Sequence, residues 1–537
     1  MKKKLLLLTF SLLGILGYSQ QDAWVFLTDK ENVSASIANP ISILTQKAID
    51  RKLDKGVAID ERDVPVNESY ITQLKNQSGI SVMAKSKWFN AVHVRGTEAD
   101  INALLNLSFV DSIDFADNSL DSSSRVSQPS NKFEIEDTQV SFTYGNSQNQ
   151  VEMISADELH LQDYTGEGIT VAVMDSGFPN VNTMGGFQRL RDNNDLLGGY
   201  DFVDRTADVY AFGGSDHGTK VLSDMAGFVQ DEFVGTAPDA SYYLFRTEDV
   251  LSETPVEESY WVEAAERADS LGVDMINTSL GYRVFDNSAY DYTPANMDGQ
   301  TAFITRGASI AAEKGILVVV SAGNSGATAW QTVGAPADSP DVLSIGAVDA
   351  DENYASFSSQ GSSAQPTQKP DVVARGAATY VIGANNVIVQ NNGTSFSAPV
   401  MAGGIACLMQ ALPEASTEQI KQFVRESASQ FSSPDNLLGH GIPDLQLALD
   451  IGLSILEQER QDFELFPNPV DTVLNIRFPF GIEQAELRIY DVLGKQIFNQ
   501  PITNTTNRID TSEMASGVYL LNIKSPTISK TIKLIKS

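Results

Sequence analysis

The sequence predicts an α/β protein whose central module is a parallel sheet with helices on both faces, preceded by a small α+β unit and followed by a β-sandwich. Three observations carry this expectation. Across residues 151–455, short runs rich in β-branched residues alternate with longer helical patterns, the signature of parallel strands joined by helical crossovers. A polar stretch from Asn118 to Gln150, with Ser122 to Ser124 and Gln128-Pro129-Ser130, reads as an exposed linker ahead of that module. From Phe463 the chain turns to brief strand-like runs separated by Pro, Gly and Asn, which reads as a sandwich of 463–537.

In chain order, Met1-Lys2-Lys3-Lys4 precedes the apolar run Leu5 to Gly17 and the small-residue pattern Gly17-Tyr18-Ser19. Residues 1–19 thus have the layout of a secretory signal peptide, and the run is shorter than the roughly 20 residues that span a bilayer. Residues 22–120 mix strand-like and helix-like stretches, Trp24 to Leu27 and Ile41 to Lys52 among them, enough for an α+β unit, and 121–150 is the linker. Within 151–455 the expected strands are Ile169 to Met174, Val273 to Ile276, Ile316 to Val320 and Val342 to Ala347. The helical stretches Trp261 to Leu271 and Thr301 to Lys314 each end at a glycine suited to a C-terminal cap, and Ser416-Thr417-Glu418-Gln419 is a capping box. In the last module, strands are expected over Thr472 to Phe478, Glu486 to Val492, Gly517 to Lys524 and Ile528 to Ile535.

Composition excludes several function classes. Of 537 residues, 37 are Lys or Arg against 69 Asp or Glu, a formal net charge of −32, so most surfaces repel phosphate backbones and anionic lipids. The last module carries eight basic and seven acidic residues, a net of +1, which leaves −33 on the remainder. One cysteine, Cys407, excludes an intrachain disulfide and any multi-cysteine metal site; on its small-residue helix it reads as a buried hydrophobe. Any imidazole chemistry falls to His93, His160, His217 or His440, and for all but His217 a surface or structural role is expected.

Four segments of the central module carry chemistry together. The strand Ile169 to Met174 runs into Asp175-Ser176-Gly177, which puts a carboxylate at a carboxyl strand end, where open sheets build their sites. Asp216-His217-Gly218-Thr219 precedes a small-residue helix, with His217 in its first turn and Gly218 permitting close approach. Asn392-Gly393-Thr394-Ser395-Phe396-Ser397-Ala398-Pro399 puts Ser395 at a helix N-terminus, where free amides favour a developing anion, with Pro399 expected in the first turn. Ser321-Ala322-Gly323-Asn324-Ser325-Gly326 leaves a strand and presents an amide able to donate to an oxyanion. Each segment alone is an ordinary turn or cap; four in one order are a constellation.

With these residues, and with Val234-Gly235-Thr236-Ala237-Pro238 and Asn277-Thr278-Ser279-Leu280-Gly281, the module resembles the subtilases, subtilisin-like serine proteases with triad order Asp, His, Ser. The resemblance implies a subtilisin-like fold and a secreted serine endopeptidase working through an acyl-enzyme intermediate. It makes Ser395 the nucleophile, His217 the general base, Asp175 its orienting carboxylate and Asn324 the oxyanion donor. Ser279, Leu280 and Gly281 would pair with substrate backbone, and Ala322 and Gly323 would wall the pocket. The chain departs from the family where Lys220 stands in place of the usual histidine, Val221-Leu222 in place of small residues, and Val400 in place of another histidine.

By the same resemblance, 22–120 is a propeptide-like domain. Phe466-Pro467-Asn468-Pro469, Tyr490 to Lys495, Gly517-Val518-Tyr519-Leu520 and the basic ending Lys530 to Lys536 resemble the type IX secretion sorting domain of Bacteroidota. The implied partners are protein or peptide substrates and the type IX machinery, with no nucleic acid and no transmembrane segment in the mature chain; the implied location is secreted or cell-surface, via the periplasm. No cofactor is required for such catalysis. Calcium, which many subtilases bind, has candidate carboxylates in Asp286, Asp291 and Asp298 but no EF-hand spacing, and no metal ligand set is assigned. The rival expectation is a surface-binding or adhesive protein that keeps the fold without turnover.

Overall fold

The computed structural model describes residues 20–117, 142–459, 463–479, 482–505, 507–526 and 528–537; the signal peptide expected at 1–19 and residues 121–141 of the linker expected at 121–150 lie outside them, while the end of that stretch is no exposed linker, with Ser147 and Gln150 buried and a helix over Gln148–Glu152. The chain divides into two compact units, Met1–Ala448 and Leu449–Ser537, with the division inside the helix Leu445–Glu459.

The first unit begins with a four-stranded antiparallel sheet in the order Ser81–Ser86, Ala91–Thr97, Gln20–Leu27, Val110–Phe115. Alternation along Gln20–Leu27 sends Ala23, Val25 and Leu27 into a core with Val92, Val94 and Phe115, closed by Ile71 and Leu74 of the helix Glu68–Lys75 and Ile101 of Glu98–Ala103. Trp24 points to the other face, where its ring stacks on Phe303 with centroids 4.4 Å apart. That face packs on the paired helices Val256–Leu271 and Phe303–Glu313, burying Trp24, Ala84 and Trp88 in the same core as Trp261 and Ile304.

The central sheet has seven strands, all parallel, in the order Val372–Arg375, Leu343–Val348, Leu317–Ser321, Met275–Thr278, Thr170–Asp175, Ser241–Arg246, Leu196–Asp201. The strands from Val372 to Asp175 in that order are wholly buried, which is why they read as continuous apolar runs rather than alternating ones. Sequence marks four of these five strands to within a residue or two; Val372–Arg375 was not among those expected. The two strands beyond Asp175, Leu196–Asp201 and Ser241–Arg246, were not among those expected: one is interrupted by Gly198 and Gly199, and the other carries two tyrosines and an arginine.

Helices His217–Ala226 and Thr394–Ala411 pack on each other and against the sheet. Thr394–Ala411 is buried without interruption from Thr394 to Met409, so its sequence is apolar and small all round instead of amphipathic. Val256–Leu271 ends at Gly272, whose φ of 82° is the left-handed cap expected there, and Ser416 forms a complete capping box with Gln419. Pro399 departs from expectation: the helix starts at Thr394, so the proline lies in the second turn, inside the hydrogen-bonded ladder.

The second unit is β-rich, with antiparallel sheets of three strands (Glu464–Phe466, Val473–Arg477, Arg508–Asp510) and four (Gln496–Thr503, Gln484–Asp491, Gly517–Lys524, Ser529–Lys536) over a core of Leu474, Ile476, Leu487, Ile489, Leu521 and Ile523. Sequence missed Gln496–Thr503, whose Asn, Gln and Pro residues hide the alternation, and the two three-residue strands. Among the described residues, no helix is long and apolar enough to cross a membrane.

Candidate active site

Three neighbouring strands deliver the site. Thr170–Asp175, Met275–Thr278 and Leu317–Ser321 lie side by side in parallel, so their carboxyl ends bring Asp175, Ser279 to Gly281 and Ala322 to Asn324 to one edge of the sheet. The two helices packed on the sheet then start at that edge with His217 and Ser395.

Asp175 is buried, and its Oδ1 accepts from the Nδ1–H of His217 at 2.8 Å, with Oδ2 at 3.0 Å. The same Oδ1 also accepts from the Ser176 N–H at 2.7 Å and the Ser176 hydroxyl at 3.1 Å. Ser215 extends the chain: its Oγ lies 2.8 Å from Ser176 Oγ and accepts from the His217 backbone N–H at 3.2 Å. This contact between strand end and helix start requires glycine at 218, where a Cβ would stand 2.6 Å from the Gly177 carbonyl oxygen and 2.9 Å from the Asp175 Cβ. Burial disfavours the imidazolium of His217, but the charge and hydrogen bond of Asp175 outweigh it, and the proton affinity of the ring is raised above the ordinary value of 6.5. With Nδ1 committed to Asp175, Nε2 is the basic nitrogen.

Ser395 is the second residue of its helix and is 9% exposed. Its hydroxyl donates to the Ser279 carbonyl at 3.1 Å, while the Ser279 hydroxyl donates to the Ser395 carbonyl at 2.9 Å. The His217 ring lies against Phe396, the next residue, at 5.6 Å between centroids. Asn324 is exposed, and its Oδ1 is held by Thr394 alone, through the backbone N–H at 2.9 Å and the hydroxyl at 3.0 Å. That leaves the Nδ2 donors for another acceptor. Gly393 has a φ of 152°, and a Cβ there would come within 3.4 Å of Asn324 Nδ2, so a side chain at 393 would crowd the amide.

Of the residues expected to meet substrate, Gly281 is exposed, Leu280 and Gly323 are half-buried, and Ser279 is buried against Ser395. Ala322 is fully buried with its N–H on the Ile345 carbonyl, so it supports Gly323 from beneath. Gly323 in turn donates its N–H to the Thr394 hydroxyl at 3.0 Å. Sequence reasoning did not single out Thr394, Ser176 or Ser215 as holders of these groups. Their signal was adjacency to Ser395, Asp175 and His217, which alone does not tell a hydrogen bond from a turn.

The remaining histidines are structural. His93 is buried between Asp22 and Ser259, and His160 is buried between the Tyr144 hydroxyl and the Thr236 carbonyl, its proton affinity pushed down to about 4 by burial. His440 packs beside Phe431. Cys407 is fully buried, and burial raises its thiol well above the usual range. Asp286, Asp291 and Asp298 each accept backbone N–H groups of nearby turns, and among the described residues no group of three or more His, Cys, Asp or Glu is arranged to hold a metal.

Comparison with known proteins places the three parts of the chain in families. Residues 22–132 match the peptidase S8 propeptide domain of Bacteroidota, 166–441 the subtilase family, and 464–537 the secretion system C-terminal sorting domain. Subtilisin DY of Bacillus licheniformis is 31% identical over 281 residues, 52% of this chain and 90% of that protein. Subtilisin E of Bacillus subtilis (strain 168) is 32% identical over 311 residues, 57% of this chain and 71% of that protein, and a subtilisin of Bacillus pumilus is 32% identical over 311 residues, 57% and 98%. The sorting domain marks the chain for secretion or the cell surface by the type IX route. With a strand-end aspartate on a helix-start histidine, a helix-start serine at the same edge of the sheet, and a family match over residues 166–441 that spans all three, the chain belongs to the subtilases and is a serine-type peptidase.

Proposed function

We propose that the protein is a secreted endopeptidase that cleaves protein substrates through an acyl-enzyme on Ser395. The observation that carries this reading is the convergence of Asp175, His217, Ser395 and Asn324 at the ends of three adjacent strands and two helices. An extended substrate pairs with the open edge at Leu280 and Gly281. The Ser395 hydroxyl rotates away from the Ser279 carbonyl, gives its proton to His217 Nε2, and its Oγ bonds to the scissile carbonyl carbon. Asn324 Nδ2 and the backbone N–H of Ser395 at the start of the helix stabilise the oxyanion. Collapse breaks the peptide C–N bond as His217 passes its proton to the leaving amine, and water then hydrolyses the ester by the same steps. Asp175 holds the tautomer and stabilises the imidazolium throughout. The N-terminal sheet, docked on Val256–Leu271 and Phe303–Glu313, keeps the precursor latent until it is removed.

Labelling by a fluorophosphonate probe, which phosphonylates an activated serine, tests the reading. Wild type labels, and Ser395→Ala does not and loses on the order of 10⁶ in kcat, the size typical of subtilisin-type triads. Equal labelling of the two removes Ser395 as nucleophile.

A further inference from the structure

The first turn of the His217 helix carries a charge pair that the steps above leave unused. Asp216 directly precedes His217, Lys220 stands one turn on, and Lys220 Nζ lies 2.8 Å from Asp216 Oδ1. On its other side the Asp216 carboxylate faces the turn at Gly383, where an added Cβ would sit 3.6 Å from Oδ2. The side chains are 40% and 21% exposed, so water weakens their fields at the ring without abolishing them.

The charged groups that act on His217 are Asp175 from the strand end, and Asp216 and Lys220 from its own helix. Glu248, from the loop after Ser241–Arg246, feels the Asp175 charge; it accepts from the Tyr282 hydroxyl, and burial pushes it up to about 8. Lys220 is the cation of this set.

We propose that Asp216 and Lys220 are a charge-balancing pair for His217: Lys220 opposes the imidazolium, Asp216 favours it, and the ion pair between them holds their net field at the ring close to zero. The inference rests on His217 as the base. When His217 takes the Ser395 proton, an unpaired ammonium one turn away would raise the cost of the new cation. Asp216 offsets that while Asp175 does the orienting. Both are positioning residues, acting on substrate only through His217.

The test is the pH profile of kcat/KM for active enzyme obtained from the full chain, as wild type, Asp216→Asn, Lys220→Met, Lys220→Arg and the Asp216→Asn/Lys220→Met double variant, at low and high salt. The acid-limb midpoint should fall by about 0.5 pH unit in Asp216→Asn and rise by about 0.5 in Lys220→Met, the scale of a screened charge one turn away. The double variant and Lys220→Arg should return to the wild-type midpoint, and both single shifts should shrink at high salt. Unmoved midpoints, shifts of the same sign, or a fall in kcat at a fixed midpoint overturn the pair and leave the triad standing. A wild type with no acid limb, or Ser395→Ala that still labels, overturns the triad first. Each single variant decides alone if the other fails to fold.

Discussion

Ser279 and Ser395 are joined by two hydrogen bonds of opposite sense, each hydroxyl donating to the other's backbone carbonyl. One of these has a cause four residues on. In an unbroken helix the Ser395 carbonyl would accept from the N–H of residue 399, and Pro399 has none. The vacancy in the ladder is filled by the Ser279 hydroxyl, which ties the residue before Leu280 and Gly281 to Ser395.

Ser279→Ala should therefore strand a buried carbonyl, lowering stability by about 1–2 kcal/mol and kcat/KM by roughly tenfold. Pro399→Ala restores an N–H at 399, so the second loss should be smaller in that background. Melting temperature and peptide kinetics across the four proteins measure the coupling; strict additivity would show that the proline and the serine are independent.

The pH dependence follows from the raised proton affinity of His217. Below the midpoint the ring is protonated and cannot accept from Ser395, so kcat/KM should fall about tenfold per unit on the acid side of a midpoint above 6.5. Asp175→Asn leaves burial unopposed, so the midpoint should drop while kcat falls about 10⁴-fold. A pH–rate profile flat to pH 5 in the wild type contradicts a histidine base.

The contact of the N-terminal domain with the helices Val256–Leu271 and Phe303–Glu313 is held by buried charge, much of it from the helix Gln46–Asp54. Asp269 pairs with Arg51 and, at 2.8 Å, with Lys52, whose ammonium also meets Asp63 at 3.1 Å; Lys314 bridges Asp60 and Asp63 at 3.0 Å each. Removing Asp269 leaves buried Arg51 without its carboxylate and Lys52 with Asp63 alone, at a cost of about 3–5 kcal/mol. Asp269→Ala should thus weaken retention of the cleaved propeptide by at least 10²-fold, read as its dissociation rate after the linker is cut.

Glu266 makes the same contact depend on pH. It accepts from the backbone N–H groups of Lys87 and Trp88 at 2.9 Å each and from the Ser86 hydroxyl, and burial pushes it up to about 7. Once the propeptide leaves, water lowers that value, so the docked state binds the extra proton. Its share of the affinity is full at pH values below the ordinary carboxyl range and is lost as pH rises through 7. Dissociation should quicken between pH 5 and 8, and Glu266→Gln should flatten that dependence.

Gly218→Ala tests the meeting of strand and helix. The added methyl would have to displace the Gly177 carbonyl or the Asp175 side chain. The expected result is at least a 10²-fold loss of kcat with the protein still folded, because a displacement near 1 Å spoils the alignment of His217. Wild-type kcat would mean that the backbone yields freely there.

Sequence alone determined the layered order of the chain, most of the buried strands and the four segments that meet at the strand ends. Those features are local. A strand buried on both faces must be apolar, a helix start needs particular small residues, and Asp175, His217, Asn324 and Ser395 each sit at such a junction. The hydrogen bonds among them were not legible, because they join residues far apart in the chain: Ser279 to Ser395, Thr394 to Asn324, Asp175 to His217. Pro399 shows the limit well. Its sequence context suggests a tolerated position in the first turn, and only the placement of Ser279 across the sheet edge decides that the missing N–H is answered by a hydroxyl. The docking of Trp24, Glu266 and Asp269 likewise depended on which faces of two helices the seven-stranded sheet leaves outward. No window of sequence contains that, since burial is set by the whole fold.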